Sequence, residues 1–173
     1  FRRKKMRLDI KQPYYQKIIN FWQRQVVDAD DLSAQVTFKG IDKVILAASV
    51  HERRHPKSFE VFLSASQREL EACDTLLLSV SLNAAFEEGL EEAHEYVTEM
   101  NMRTGFTPDS VALVAGAVRT KSYDYFAAQI VRHVVLRGRD YDPSKGEHEF
   151  TDWQALTAQV SEFLNGSESK RAN

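Results

Sequence analysis

Residues Lys43 to Phe59 read KVILAASVHERRHPKSF, and the fold follows from how this stretch is divided. Val44, Ile45, Leu46, Ala47 and Ala48 form an unbroken apolar run with β-branched members, bounded by Gly40 and Asp42 before it and a charged burst after it. A run of that length and kind predicts a strand buried on both faces. In an open α/β sheet, ligands bind in the crevice beyond the carboxyl ends of the strands, so Ser49, Val50 and His51, and the chain on to His55, are the first place to look for function.

Two further runs share this character. Thr75 to Val80, TLLLSV, and Ser110 to Ala115, SVALVA, are short, apolar and β-branched. Between them lie segments of helical period: Ser58 to Glu71 with Phe59, Phe62, Leu63 and Leu70 on one face, and Glu87 to Met102 with Leu90, Ala93, Val97 and Met100 turned inward. Ser81 to Phe86 reads as a small polar turn. Strands alternating with helices at this spacing predict right-handed crossovers, a parallel sheet and helices on both faces. The expected class is α/β, three-layered.

The flanks are less regular. Met6, Leu8 and Ile10 alternate with Arg7 and Asp9 as a short strand with one wet face, and Pro13 opens an amphipathic helix to about Gln25. Val26 and Val27 read as a brief strand ending in the acidic turn Asp28 to Asp31. Tyr123 to Leu136 reads as a helix with Arg132, His133, Arg137 and Arg139 towards its end, and Gly138 to Glu149 as a polar loop. Thr151 or Asp152 caps a last helix, Trp153 to Leu164. The expected organisation is a basic segment over 1–12, one α/β domain over 13–165 and a tail over 166–173.

Composition bounds the function. The chain has 173 residues, 43% of them hydrophobic and 28% charged, enough apolar material for one core. A net charge of −2 gives no reason to expect nucleic acid. The charge is uneven: Arg2, Arg3, Lys4, Lys5 and Arg7 crowd the start, and Glu87, Glu88, Glu91, Glu92 and Glu95 the middle. These are the two surfaces on which a protein partner is expected. Cys73 is the single cysteine, read as a buried or half-buried structural thiol. No apolar run reaches the roughly 18 residues of a membrane span, so at most a peripheral membrane contact is expected. The opening on Phe1 is consistent with a processed end, a fragment, or a longer protein. An acid-free basic start suits an import remnant, so mitochondrial and cytoplasmic addresses are both carried. No metal site is expected.

The segments ILAASVHERRHPKSF, LLLSVSLNAA, VALVAGAVRTKSY, YDPSK and EFTDW, in that order, resemble the flavodoxin-like menaquinone-dependent protoporphyrinogen oxidases of bacteria, over roughly Val26 to Leu164. The resemblance implies a flavodoxin fold with FMN between loops at the strand ends, and electron transfer from a porphyrinogen to a quinone near a membrane. Position by position, Ser49, Val50 and His51 match the loop against one side of the isoalloxazine ring, and Ser81, Leu82 and Asn83 the loop against the other. Arg119 and Tyr123 match the insertion after the last strand. The family pattern does not name a catalytic side chain among these.

Two departures matter. Glu52 and Arg53 stand where the family has an aromatic residue and a glycine. From Phe1 to Ile19 there is no glycine, serine or threonine, whereas a phosphate loop uses such residues to bring backbone N–H groups and hydroxyls to the FMN phosphate at a helix N-terminus. The first strand is therefore expected to be missing or degenerate. Two readings follow. The favoured one is a divergent member with a degenerate FMN site, a non-catalytic structural or interaction subunit of a larger assembly. The alternative is an active FMN enzyme oxidising protoporphyrinogen IX, or a related substrate, with a quinone acceptor. His51 and His55 are read as surface residues rather than acid or base groups.

Overall fold

The computed structural model describes residues 26–31, 34, 36–118 and 148–166. The chain divides into two units, Phe1–Val36 and Thr37–Asn173. In the first, the Asp31 N–H donates to the Asp28 carbonyl and the Ala34 N–H to the Asp31 carbonyl, each at 3.0 Å. Val26 and Val27 are not in a strand, which corrects the expectation for them. Two valines before an aspartate turn have no neighbouring strand to pair with among the described residues. The strand read over Met6 to Ile10, the helix from Pro13 and the helix Tyr123 to Leu136 lie outside the described residues.

The second unit contains the predicted sheet. Strands β1 (Lys43–Ser49), β2 (Asp74–Val80) and β3 (Ser110–Val114) run parallel in the order β1-β2-β3. Register places Leu46 beside Leu77 and Leu77 beside Val111. Because side chains alternate along a strand, Leu46, Leu77 and Ser79 share one face and Ile45, Leu76 and Ala112 the other.

Helices cover both faces. The sequence read as one helix over Ser58 to Glu71 is two, α1 (Lys57–Ala65) and α2 (Gln67–Glu71), broken at Ser66. After β2 come two short 3-10 turns, Leu82–Ala85 and Glu87–Gly89, then α3 (Leu90–Thr104). Helices α1 and α3 pack together on the Leu77 side, burying Phe59, Leu63, Ala93, Val97 and Met100. The last helix, α4 (Trp153–Asn165), lies over Leu76 and Ala112 on the opposite side, with Phe163 in the groove between. Its cap is Asp152, whose side chain accepts from the Ala155 N–H at 2.9 Å. Thr151 is used elsewhere.

Two burial expectations are corrected. Among the described residues β1 pairs on one side only, with β2, and stands at the edge of the sheet they form; Ile45 is 39% exposed and Ala47 is exposed. An apolar run records that a strand is sticky but not which neighbours reach it. Leu90 is also 39% exposed. The Glu87–Gly89 turn delays the helix start, and Tyr96 takes the inward position at the proper spacing from Ala93 and Met100. Cys73 is fully buried as expected, its thiol donating to the carbonyls of Ile41 and Glu69 at 3.2 and 3.3 Å.

Candidate functional site

The carboxyl ends of β1 and β2 open side by side. The Val50 N–H donates to the Val80 carbonyl at 2.8 Å and the Ser81 N–H to the Val114 carbonyl at 2.9 Å, so the ladder continues one residue past each strand before the loops diverge. The structure thus brings the loops Ser49–Val50–His51 and Ser81–Leu82–Asn83 together. Ser49 Oγ hydrogen-bonds His51 Nε2 at 2.9 Å, which orients an exposed imidazole. Ser81 Oγ is buried and has no hydrogen-bond partner. A buried hydroxyl left without a partner is uncommon in a folded protein.

The loop after β1 turns back at once. His51 and Arg54 exchange both backbone hydrogen bonds, at 2.9 and 3.0 Å, around Glu52 and Arg53. Both central residues have positive φ, +50° and +63°, the signature of a type I′ turn, for which Asn-Gly is the preferred pair. Arg53 is fastened to α3. Its guanidinium pairs with Glu92, reaches Glu95 at 3.8 Å and lies 5.5 Å from the centre of the Tyr96 ring. Asn83 is held by the same residues, its side-chain amide donating to Glu92 at 2.8 Å and bonding the Tyr96 hydroxyl at 2.9 Å. Burial, together with the adjacent Glu92 carboxylate, pushes the Tyr96 phenol up to about 12, so it stays a neutral hydrogen-bonding group.

A second wall comes from the far end of the chain. Gly116 follows β3 with φ of +73°, and a Cβ there would meet Val80 Cγ1 at 2.9 Å. Its N–H donates to Thr151 Oγ1 at 2.9 Å and its carbonyl accepts from the Phe150 N–H at 3.0 Å. Strands β4 (Ala117–Val118) and β5 (His148–Glu149) pair antiparallel beside it, which corrects the reading of His148 and Glu149 as loop. Phe150 thereby meets Phe86 edge-on at 5.6 Å, with His148 at 4.4 Å from Phe150. Arg119 and Tyr123 lie outside the described residues.

His55 is also corrected. It is 1% exposed, with Nε2 bonded to Ser79 Oγ at 3.0 Å and Nδ1 unpartnered. Pro56 and Phe59 carry it under α1, which the charged letters around it did not announce. Next to it Glu60 is 5% exposed and paired with Arg54 and Arg103. Burial pushes Glu60 up, and hydrogen bonds from the two arginines outweigh it and hold the carboxyl below its ordinary value. For His55 burial dominates, with Arg103 adding to it and Glu60 opposing, so the imidazole sits below its ordinary 6.5. The unfolded chain then binds a proton that the folded chain refuses. Stability is expected to be whole above pH 6.5 and to decline as pH falls below it. Thermal melts at pH 7.5 and 5.5 should show the loss, and His55→Asn should flatten it; equal slopes would overturn this.

Among the described residues no group of histidines, cysteines and acids could hold a metal ion, and no helix is long and apolar enough to cross a membrane. Two surface clefts, about 300 Å³ beneath α4 and about 460 Å³ beside Glu60, are not lined by either loop. The residues that bring chemistry to the strand ends beyond those expected are Tyr96, Glu92, Phe86 and Phe150. The five-glutamate helix reads as a solvated face in sequence, and only the i,i+4 spacing of Glu92 and Tyr96 signals a shared side.

The ring end of an FMN site fits these residues. The two loops carry the polar groups of Ser49, Ser81 and Asn83, and the Phe86–Phe150 pair follows the second loop, the two kinds of group that a heterocycle with one polar and one apolar edge takes.

Comparison with known proteins bears on this arrangement. A model of the flavodoxin domain matches residues 14–144. The chain is 23% identical over 120 residues to Protoporphyrinogen IX dehydrogenase [quinone] of Escherichia coli (strain K12), covering 69% of this chain and 66% of that protein. It is 26% identical over 140 residues to the protein of the same name from Leishmania major, covering 80% of this chain and 60% of that protein. The chain thus spans 66% and 60% of the lengths of these two curated relatives, less than two thirds of each. No solved structure matches. With three parallel strands, flanking helices and a family match across most of its length, the chain belongs to the flavodoxin domain family.

Proposed function

We propose that the crevice between Ser49–His51 and Ser81–Asn83 holds the isoalloxazine ring of FMN, and that the chain serves oxidation of a porphyrinogen with a quinone acceptor. The observation that carries this reading is the buried, partnerless Ser81 hydroxyl at the mouth of two adjacent parallel strands. Bound there, FMN supplies the electron exchange between reduced substrate and quinone. The chain's own residues orient and enclose. Ser81 offers its hydroxyl to a polar ring edge, the Val50 and Leu82 segments supply the two sides, and Phe86 and Phe150 keep water from the rim. The names of the curated relatives support the reaction class.

FMN titration tests the reading. Fluorescence quenching at micromolar or lower protein is expected, with flavin absorbance retained on gel filtration. Unchanged FMN fluorescence would overturn it.

A second reading has its own observation. The Glu52–Arg53 turn is committed to α3, where the family has an aromatic residue and a glycine, and the segment from Phe1 to Ile19 has none of the small residues of a phosphate loop. A chain of this kind that binds no FMN would be an accessory subunit, contacting a partner through the basic start or through α3. A colourless protein that co-purifies stoichiometrically with one partner supports that reading.

A further inference from the structure

We propose that Arg53 is a positioning residue: by clamping the 51–54 turn to Glu92, Glu95 and Tyr96, it fixes the loop after β1 against the loop after β2 and sets the width of the crevice between them. The inference deepens the flavin reading, since that crevice is the ring site, but the coupling between loops exists without a flavin.

Glu52 and Arg53 occupy the left-handed region at φ +50° and +63° with full side chains, a conformation that persists in non-glycine residues only when the surroundings enforce it. The backbone bonds between His51 and Arg54 close the turn but are equally available to a glycine pair. What enforces the conformation with these residues is the side chain of Arg53, which holds two carboxylates and one aromatic face on α3.

The two loops also share partners on α3. Glu92 meets Arg53 with one carboxylate oxygen and the Asn83 amide with the other. Tyr96 meets Arg53 with its ring face and Asn83 with its hydroxyl. One turn of α3 therefore carries both loops, and neither loop can shift without disturbing the same two side chains. An exposed ion pair alone contributes little. A pair that shares both acceptors with the opposite loop has a geometric consequence that its exposure does not remove.

Relieving strain and cutting the clamp can be separated by mutation. Glu52→Gly relaxes one left-handed residue and keeps Arg53, so Tm should rise by about 2 °C with the opposite loop unaltered. Arg53→Gly relaxes the turn and removes the clamp, so Tm should stay within about 2 °C of wild type. In that variant amide exchange at Ala84 and Phe86, whose N–H groups donate to the Ser81 and Asn83 carbonyls, should accelerate by about tenfold or more. Binding of lumiflavin, a ring without phosphate, should weaken by about tenfold. Arg53→Lys, which keeps the charge and loses the planar stack, should fall between. Exchange at Ala84 and Phe86 that does not respond to Arg53→Gly would overturn the proposal. If it responds while the wild type binds no lumiflavin, the clamp stands and the flavin reading falls.

Discussion

Replacing Leu77 by alanine should cost about 3 kcal/mol and lower Tm by roughly 6–12 °C, one of the two largest effects expected in this chain. Leu77 is fully buried in the middle strand, between Leu46 and Val111 in register and under α1 and α3. Neighbours on both sides are strands, which cannot collapse into the space, so most of the cavity would remain. Ile45→Ala provides the contrast on the same sheet. Ile45 is 39% exposed on the edge strand, and its loss should cost about 1 kcal/mol, because part of that side chain was never removed from water. Urea melts of the two variants would settle the matter. Equal losses would mean that β1 is covered on its outer side and is not an edge.

That contrast also shows which parts of the fold were legible in the letters. VILAA, TLLLSV and SVALVA each announce a buried strand because fully covered strands need no polar alternation. The parallel order follows from the helical segments between them. The same letters do not say that β1 lacks a second neighbour among the described residues, since an apolar run is identical whether a strand or solvent lies beside it. The adjacency of the two loops was legible through topology, and Ser49–His51 and Ser81–Asn83 do lie together at the strand ends. The clamp was not. It depends on two charged residues adopting a turn usually made by glycine and asparagine, and on one glutamate of five facing inward. His55 was illegible for a related reason: its neighbours in sequence are charged, while its neighbours in space, Ser79 and Phe59, are 24 and 4 positions away.

Gly89→Ala should be the other costly substitution, and the one that joins stability to the site. Gly89 has φ of −96°, so alanine is acceptable to the backbone there and the obstacle is space. A Cβ would lie 2.4 Å from the Asn83 carbonyl oxygen and 3.0 Å from its carbon. That neighbour is backbone, which cannot rotate aside, and the same carbonyl accepts from the Phe86 N–H at 3.2 Å. Relief therefore requires the Asn83 loop to move as a piece or α3 to start later. Either motion pulls the Asn83 amide from Glu92 and Tyr96 and opens the crevice that Arg53 holds from the other side. The expected cost is about 2–3 kcal/mol, at the upper range of overpacking, with lumiflavin affinity falling by about tenfold or more where the ring reading holds. Gly40→Ala is the matched control. At φ of +72° with nothing within 4 Å of its Cβ, it pays only for the left-handed backbone, about 1 kcal/mol, and should leave the loops untouched. Calorimetry with amide exchange at Phe86 would read both terms. If Gly89→Ala melts like the control and leaves Phe86 protected, the close approach of Asn83 to the start of α3 is not what shapes the crevice.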